Sequence, residues 1–282
     1  MPIPRPVFAF ARFSLVLARA KQRGEAGDAA GARNLFAAAV PLATRVFGDS
    51  DRNTLSIRHH LGYWTGKAGD PAGARDELDA LVSVMERLRG PDDPTTLTVR
   101  QDLAYLTGKA GDPAAARTQF ETLLPVRERV SGSDDPDTLI VRQGLARFTG
   151  EAGDPAGARA QLETLVPVFE RVSGTDHPGT RNTRYELAYW TGKAGDPVSA
   201  RAQFEALVPV NARVAGPVHP DTVAARHELA YWTKVAGDHV RARDEYALLV
   251  PLCERVFGPD SRQAVDARSN LARLTSETTT EA

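Results

Sequence analysis

Leu103–Pro113, LAYLTGKAGDP, is the stretch that decides the fold, because close copies of it return along the whole sequence. Its Ala-Gly-Asp core recurs every 42 residues, at 26–28, 68–70, 110–112, 152–154, 194–196 and 236–238. A fixed period of this length is typical of a solenoid, in which each unit buries its apolar face against its neighbours. The period therefore predicts one repeat array over residues 1–282.

Each unit is predicted to contain two α-helices, called helix A and helix B below. In the third unit helix A covers 94–108, where Leu103 and Leu106 lie on one apolar face. Gly111 marks its end, since glycine adopts the left-handed conformation that terminates a helix at least cost. Equivalent helices A are predicted at 52–66, 136–150, 178–192 and 220–234.

An aspartate precedes every helix B, and a proline follows it in four units. Asp at the N-cap with Pro at the first helical position favours helix initiation. We interpret these aspartates as caps and not as catalytic acids, because capping explains all of them: Asp28, Asp70, Asp112, Asp154, Asp196 and Asp238.

Proline also recurs inside helix B, at Pro41, Pro125, Pro167, Pro209 and Pro251, while Ser83 takes that place in the remaining unit. An internal proline removes one backbone hydrogen bond and collides with the carbonyl four residues earlier. We therefore expect the five helices to bend at the proline and to continue beyond it, and the helix with Ser83 to be straighter.

These signals place six repeats and a closing helix along the chain. At the N-terminus, Phe10, Phe13 and Leu17 have the spacing of a capping helix, and Arg12 argues against a signal peptide. At the other end we expect the tail 277–282 to be disordered. The repeats are predicted at about 8–48, 49–90, 91–132, 133–174, 175–216 and 217–258, with the closing helix at about 262–276.

Composition indicates an ordinary soluble protein, with 42% apolar and 25% charged residues. The net charge of −1 argues against general nucleic-acid binding. No stretch of about 20 apolar residues is present, which argues against a membrane span. Cys253 is the one cysteine, so an internal disulfide framework is excluded and a reducing, cytoplasmic location is predicted.

Catalytic and metal-binding motifs are missing from the sequence. It contains no glycine-rich phosphate loop, no Gly-x-Ser-x-Gly, no Cys-x-x-Cys and no His-Glu-x-x-His. His59 and His60 are adjacent on a helix, where neighbouring side chains point in different directions and share a metal poorly. We therefore predict no enzyme activity, no cofactor and no metal.

An arginine recurs once in every helix A or its equivalent. Such strict repetition favours a structural role over a specific ligand site, because a specific site needs variation between units. The residues are Arg58, Arg100, Arg142, Arg184, Arg226 and Arg268.

The repeats resemble tetratricopeptide repeats, in particular the 42-residue variety of kinesin light chains and of many bacterial proteins. Leu103-Ala104, Gly111, Ala116 and Phe120 match the general motif. The phrases TLTVRQDLA, RERV and DHPGT are similar to the light-chain variety. The resemblance implies an all-α fold, an α-solenoid of antiparallel helix pairs that form a right-handed superhelix.

The resemblance also implies that helix A lines a concave groove through its second, fifth, ninth and thirteenth motif positions. Aromatic and basic side chains there suit an extended peptide that carries carboxylates, whereas a merely solvated wall is the alternative. Glycines at the twelfth position, such as Gly108, would leave room near the wall. The candidate groove residues are His59, Tyr63, Lys67, Gln101, Tyr105, Lys109, Gln143, Arg147, Tyr185, Tyr189, Lys193, His227 and Tyr231.

The leading functional hypothesis is a non-catalytic scaffold that binds a protein or peptide partner in this groove, with an acidic partner compatible with its cations. A self-associating structural arm is the first alternative. The second is the sensor or regulatory portion of a larger signalling ATPase or transcription regulator. The sequence itself does not identify the partner.

Overall fold

The computed structural model describes residues 15–24 and 26–280, with side chains to residue 277. Phe10 and Phe13 lie outside the described residues. Within them the regular structure is helical throughout and includes no strand. The helices are α1 (residues 15–24), α2 (Ala29–Phe47), α3 (Arg52–Lys67), α4 (Pro71–Arg89), α5 (Pro94–Lys109), α6 (Pro113–Ser131), α7 (Pro136–Glu151), α8 (Pro155–Ser173), α9 (Pro178–Lys193), α10 (Pro197–Val214), α11 (Pro220–Val235), α12 (His239–Phe257) and α13 (Arg262–Thr280).

The two-helix unit predicted from the period is confirmed. Helices α3, α5, α7, α9 and α11 are the helices A, and each begins where predicted and ends one residue later. Helices α2, α4, α6, α8, α10 and α12 are the helices B. Asp112 Oδ1 accepts a hydrogen bond from Ala115 N at 2.9 Å, and the five equivalent aspartates cap their helices in the same way. Gly111 has φ +104°, the left-handed conformation expected of it.

Packing divides the chain into two compact units, one that ends at Phe148 and one that begins at Thr149. In the first unit α2 to α6 each pack against the next helix, and in the second unit α8 to α13 do the same. Phe120 and Phe148 stack in the core of the first unit, with ring centroids 5.7 Å apart. Phe204 and Trp232 belong to a buried cluster of the second. The single array over 1–282 and the hand of its superhelix stay predictions.

Two differences from the expected ends of the chain are visible. Helix α13 continues to Thr280, past the predicted end at 276, so the expected disorder does not hold for 277–280, whereas 281–282 lie outside the described residues. At the other end α1 continues to residue 24, and Leu17 packs against the first buried cluster. No helix in the described part of the chain is long and apolar enough to cross a bilayer.

Helix B runs without interruption through each internal proline, as α6 does at Pro125. The same holds for α2, α8, α10 and α12. The expectation that these helices continue past the proline is therefore confirmed, while the bend stays a prediction.

Replacing Ser83 with proline is expected to lower the free energy of unfolding by far less than the about 3 kcal/mol typical of a helix interior. Helix α4 has the same 19 residues as α6, which already carries a proline at this place. Asp79, whose carbonyl would be released, is exposed and can be hydrated. Thermal and urea denaturation would measure the change.

The matched control is Ala80→Pro in the same helix, at an exposed position where no repeat carries proline. It is expected to show the full loss of about 3 kcal/mol. Equal losses in the two variants would contradict the idea that the repeat accommodates proline at one particular place.

Candidate functional site

In the first unit, tyrosine and a cation are paired one helical turn apart on successive helices A. Tyr63 and Tyr105 are each 42% exposed. Lys67 Nζ lies 5.7 Å from the centre of the Tyr63 ring, and Lys109 Nζ lies 5.6 Å from that of Tyr105. The i, i+4 spacing puts the ammonium group above the ring, where the π electrons attract it by about 0.5–1 kcal/mol at an exposed site.

Arg147 of α7 adds a second cation to Tyr105, with Cζ 5.8 Å from the ring centre. The equivalent of tyrosine in α7 is therefore replaced by a side chain that reaches back to the tyrosine of α5. The predicted residues Tyr105, Lys109 and Arg147 are thus brought together around one aromatic ring.

Two pockets border these tyrosines. One has a volume of about 450 Å³ and is lined by α1, α2 and α3, including Leu17, Phe36 and Trp64. The other, of about 360 Å³, lies between α3 and α5 beside both lysines. Both are lined by Tyr63 and Asp102, so they adjoin each other within the first unit.

His59 is not an isolated ligand-binding group, because its Nε2 lies 2.6 Å from Asp102 Oδ2. Both side chains are partly buried. Asp102 was missed by the sequence reasoning, although it occupies the position next to the predicted Gln101. The contact joins α3 to α5 and engages the one carboxylate that both pockets share.

The predicted glutamines are less accessible than the tyrosines. Gln101 and Gln143 are partly buried. Gln101 Oε1 is buried without a hydrogen-bond partner among the described residues. The fifth motif position therefore contributes less surface than the ninth in this unit.

In the second unit the tyrosine and cation pairs recur, with more burial. Tyr189 packs edge to face on Trp190 at 5.0 Å between centroids, and Lys193 Nζ lies 5.4 Å from its ring centre. Tyr231 packs on its neighbouring tryptophan at 4.9 Å, and Lys234 Nζ lies 4.8 Å above the tyrosine ring. Lys234 was missed because it occupies the twelfth position, where the other repeats have glycine.

Tyr185 and His227, the other predicted residues of this unit, belong largely to the packing between helices. Tyr185 contacts Phe204 edge to face at 5.2 Å, and His227 contacts Tyr246 at 6.1 Å. His227 Nε2 is buried without a partner in the described structure. Burial lowers the pKa of His227 below its ordinary value, which favours the neutral imidazole.

Carboxylates that the sequence reasoning did not single out lie beneath the aromatic rings of the second unit. Trp190 Nε1 donates to Glu186 at 3.2 Å, and Trp232 Nε1 donates to Glu228 at 3.1 Å. Burial raises the pKa of Glu228, and the indole hydrogen bond partly opposes that rise. A glutamate four residues before a tryptophan was the signal available in the sequence.

The glycines at the twelfth position do not leave room for a ligand, contrary to expectation. A Cβ on Gly192 would lie 2.5 Å from the Trp232 ring, and one on Gly108 would lie 2.0 Å from the Phe148 ring. Each glycine thus receives the large side chain of the next helix A. Its role is close packing between neighbouring repeats.

The repeated arginines of helix A have structural partners. Arg142 Nη2 lies 2.5 Å from Glu128, and Arg184 Nη2 lies 2.8 Å from Glu170, so each pairs with the preceding helix B. These pairs support the structural interpretation over ligand binding. Across the described residues, no group of three or more His, Cys, Asp or Glu side chains could hold a metal ion.

Residues 54–95, 96–137 and 138–179 match the family model described as tetratricopeptide repeat. No curated protein sequence gives a significant match.

Solved structures of similar fold include repeat proteins of several kinds. A putative kinesin light chain from Podosopora anserina, with nearly identical TPR-like repeats, is 19% identical over 76% of this chain and 99% of that chain, with a TM-score of 0.63. A Rap protein complexed with competence and sporulation factor is 9% identical over 96% and 76%, with a TM-score of 0.64. A signal transduction ATPase with numerous domains and a tetratricopeptide repeat sensor, from Pyrococcus horikoshii, is 11% identical over 92% and 38%, with a TM-score of 0.66. At these identities the likeness is one of fold.

Proposed function

Because the chain is a tetratricopeptide-repeat protein, we propose that it is a non-catalytic scaffold that binds a protein or peptide partner along its helices A. The observation that carries this proposal is the repetition of a tyrosine with a cation over its ring, on α3, α5, α9 and α11. Repeat proteins of this fold generally serve in protein interaction, which supports the same function.

The chemistry of the first unit favours a partner with carboxylates. Lys67, Lys109 and Arg147 place three cations around two half-exposed rings, while the nearby Asp102 is engaged by His59. Carboxylates form charge-assisted hydrogen bonds with such cations, and apolar portions of a peptide pack on tyrosine. Pockets of about 450 and 360 Å³ are large enough to receive side chains of an extended segment.

The second unit offers a more mixed surface to the same partner. Lys193 and Lys234 lie over tyrosines, but Glu186 and Glu228 lie close by on the same helices and accept hydrogen bonds from indoles. Acid preference should therefore be set by the first unit, with the second contributing mainly aromatic contact.

A second candidate is the sensor portion of a larger signalling protein. The ATPase from Pyrococcus horikoshii matches this chain over only 38% of its own length and is described as carrying a repeat sensor. Immunoblotting of the native protein would test this possibility. A mass well above 30.4 kDa would support it, and a mass near 30.4 kDa would contradict it.

Replacing Tyr63 and Tyr105 together with alanine is expected to weaken binding of a glutamate-rich peptide pool by more than about tenfold. Buried tyrosines at interfaces are common binding hot spots, and these two rings hold the cations in place. Fluorescence anisotropy of a fluorescein-labelled pool would measure the dissociation constant. Circular dichroism should show unchanged helix content, since both rings are 42% exposed.

Leu88→Ala with Val130→Ala is the matched control, because these exposed residues occupy equivalent places on two successive helices B. The control should bind the pool as the wild type does. Unchanged affinity in the folded tyrosine variant would contradict the assignment, and unfolding of that variant would place the rings in the core.

A further inference from the structure

The fifth repeat carries polar residues at two positions that form the apolar core in other repeats. Arg181 of α9 is 6% exposed, and Asn211 of α10 is 3% exposed. The residue in the place of Arg181 is leucine or valine in four repeats, at Leu55, Leu97, Leu139 and Val223. The place of Asn211 is taken by Met85, Phe169 and Cys253 in three others.

The guanidinium of Arg181 is only partly satisfied. Its Nη1 donates to Asn211 Oδ1 at 2.9 Å, while its Nε is buried without a partner. Among the residues that the structure describes, no carboxylate oxygen lies within 4.0 Å of it. Asp176, the exposed carboxylate in its neighbourhood, is held by Arg213 through contacts of 2.6 and 2.9 Å. One edge of the guanidinium, Nε with Nη2, is therefore open.

A pocket of about 190 Å³ adjoins this edge. Arg181, Asn182, Tyr185 and Asn211 line it, together with Asp221. Asn211 Nδ2 donates to the carbonyl oxygen of Asp221 at 3.4 Å, which fixes the amide with its oxygen toward the arginine. The Asp221 carboxylate is 60% exposed and lies 3.6 Å from His219 Nδ1.

A buried cation without a counter-charge is costly, and the open guanidinium edge has the geometry that receives two oxygens of a carboxylate. We propose that this pocket binds a carboxylate group through Arg181. A single arginine suits a single negative charge, and Asp221 at the pocket would repel a doubly charged phosphate. The carboxylate can belong to a free small acid or to an acidic residue or C-terminus of a peptide.

Sodium acetate is expected to raise the melting temperature of the whole chain above that in sodium chloride of equal ionic strength, because it binds the folded state. Arg181→Leu, which restores the residue of other repeats, should melt at the same or a higher temperature and lose the acetate response. Calorimetric titration with a short glutamate-containing peptide and its glutamine counterpart identifies the source of the carboxylate. A response to the peptide alone assigns it to a peptide, and a response to acetate shows that a free acid suffices.

Asn211→Asp is the second variant, since it places an internal carboxylate beside Arg181 at almost unchanged volume. It should raise the melting temperature and reduce binding of acetate or peptide at least about tenfold. Equal responses of wild type and both variants, or no response of the wild type to either probe, would overturn the proposal. Peptide capture by Tyr63 and Tyr105 is measured separately, so failure of this pocket would leave the proposed scaffold function standing.

Discussion

Replacing Trp232 with alanine is expected to lower the free energy of unfolding by about 3–5 kcal/mol. The side chain is 3% exposed and fills the space above Gly192 in the second unit. Its loss would create a cavity and would also remove the indole donor from the partly buried Glu228. Urea denaturation followed by circular dichroism would measure the change.

A double-mutant cycle with Gly192 tests the cause. Gly192→Ala alone should cost about 1–3 kcal/mol, because its Cβ would lie 2.5 Å from the Trp232 ring. In the Trp232→Ala background that space is open, so alanine should be neutral or should stabilise the helix by up to about 1 kcal/mol. Additive losses would show that the glycine and the tryptophan are not packed on each other.

Replacing Arg127 with methionine is expected to raise the free energy of unfolding by about 1–4 kcal/mol. Arg127 is 1% exposed in α6, and burial lowers the pKa of its guanidinium. It donates to Thr98 Oγ1 at 2.9 Å and lies 3.4 Å from the half-exposed Asp137, while its Nε has no partner in the described structure. An apolar side chain of similar length avoids this desolvation cost.

Met85→Arg is the matched converse change, one repeat earlier. Met85 is 2% exposed, and Thr95 stands where the arginine of the next repeat finds Asp137. The new charge would be buried without a carboxylate at that place, so a loss of about 3–5 kcal/mol is expected. If Arg127→Met destabilises the chain as much as Met85→Arg does, the arginine stabilises the repeat in a way that desolvation does not describe.

Much of the fold follows from local signals that the sequence repeats. Asp112 with the proline after it begins a helix whatever surrounds it, and Gly111 ends the one before. The pairing of Tyr63 with Lys67 was likewise predictable, since i, i+4 residues share a helix face. These features depend on a few neighbouring residues, and the structure confirms the helices they predict.

Contacts between helices were harder to predict, because they depend on which side chain fills which space. Gly192 was expected to leave room for a ligand, yet the ring of Trp232 occupies it. Lys234 was overlooked because a different turn of helix A brings it over Tyr231. Arg181 carries no local signal of burial, and only comparison with the leucines of other repeats reveals its position as part of the core.

The most direct test of the scaffold proposal is a titration of the whole chain with two labelled peptide pools, one rich in glutamate and one rich in lysine. Lys67, Lys109 and Arg147 around the exposed tyrosines should make the glutamate-rich pool bind at least about tenfold more tightly at low salt, with the difference shrinking as salt is added. Equal affinity for the two pools, or no binding of either, would contradict the proposal that helices A present a surface for an acidic partner.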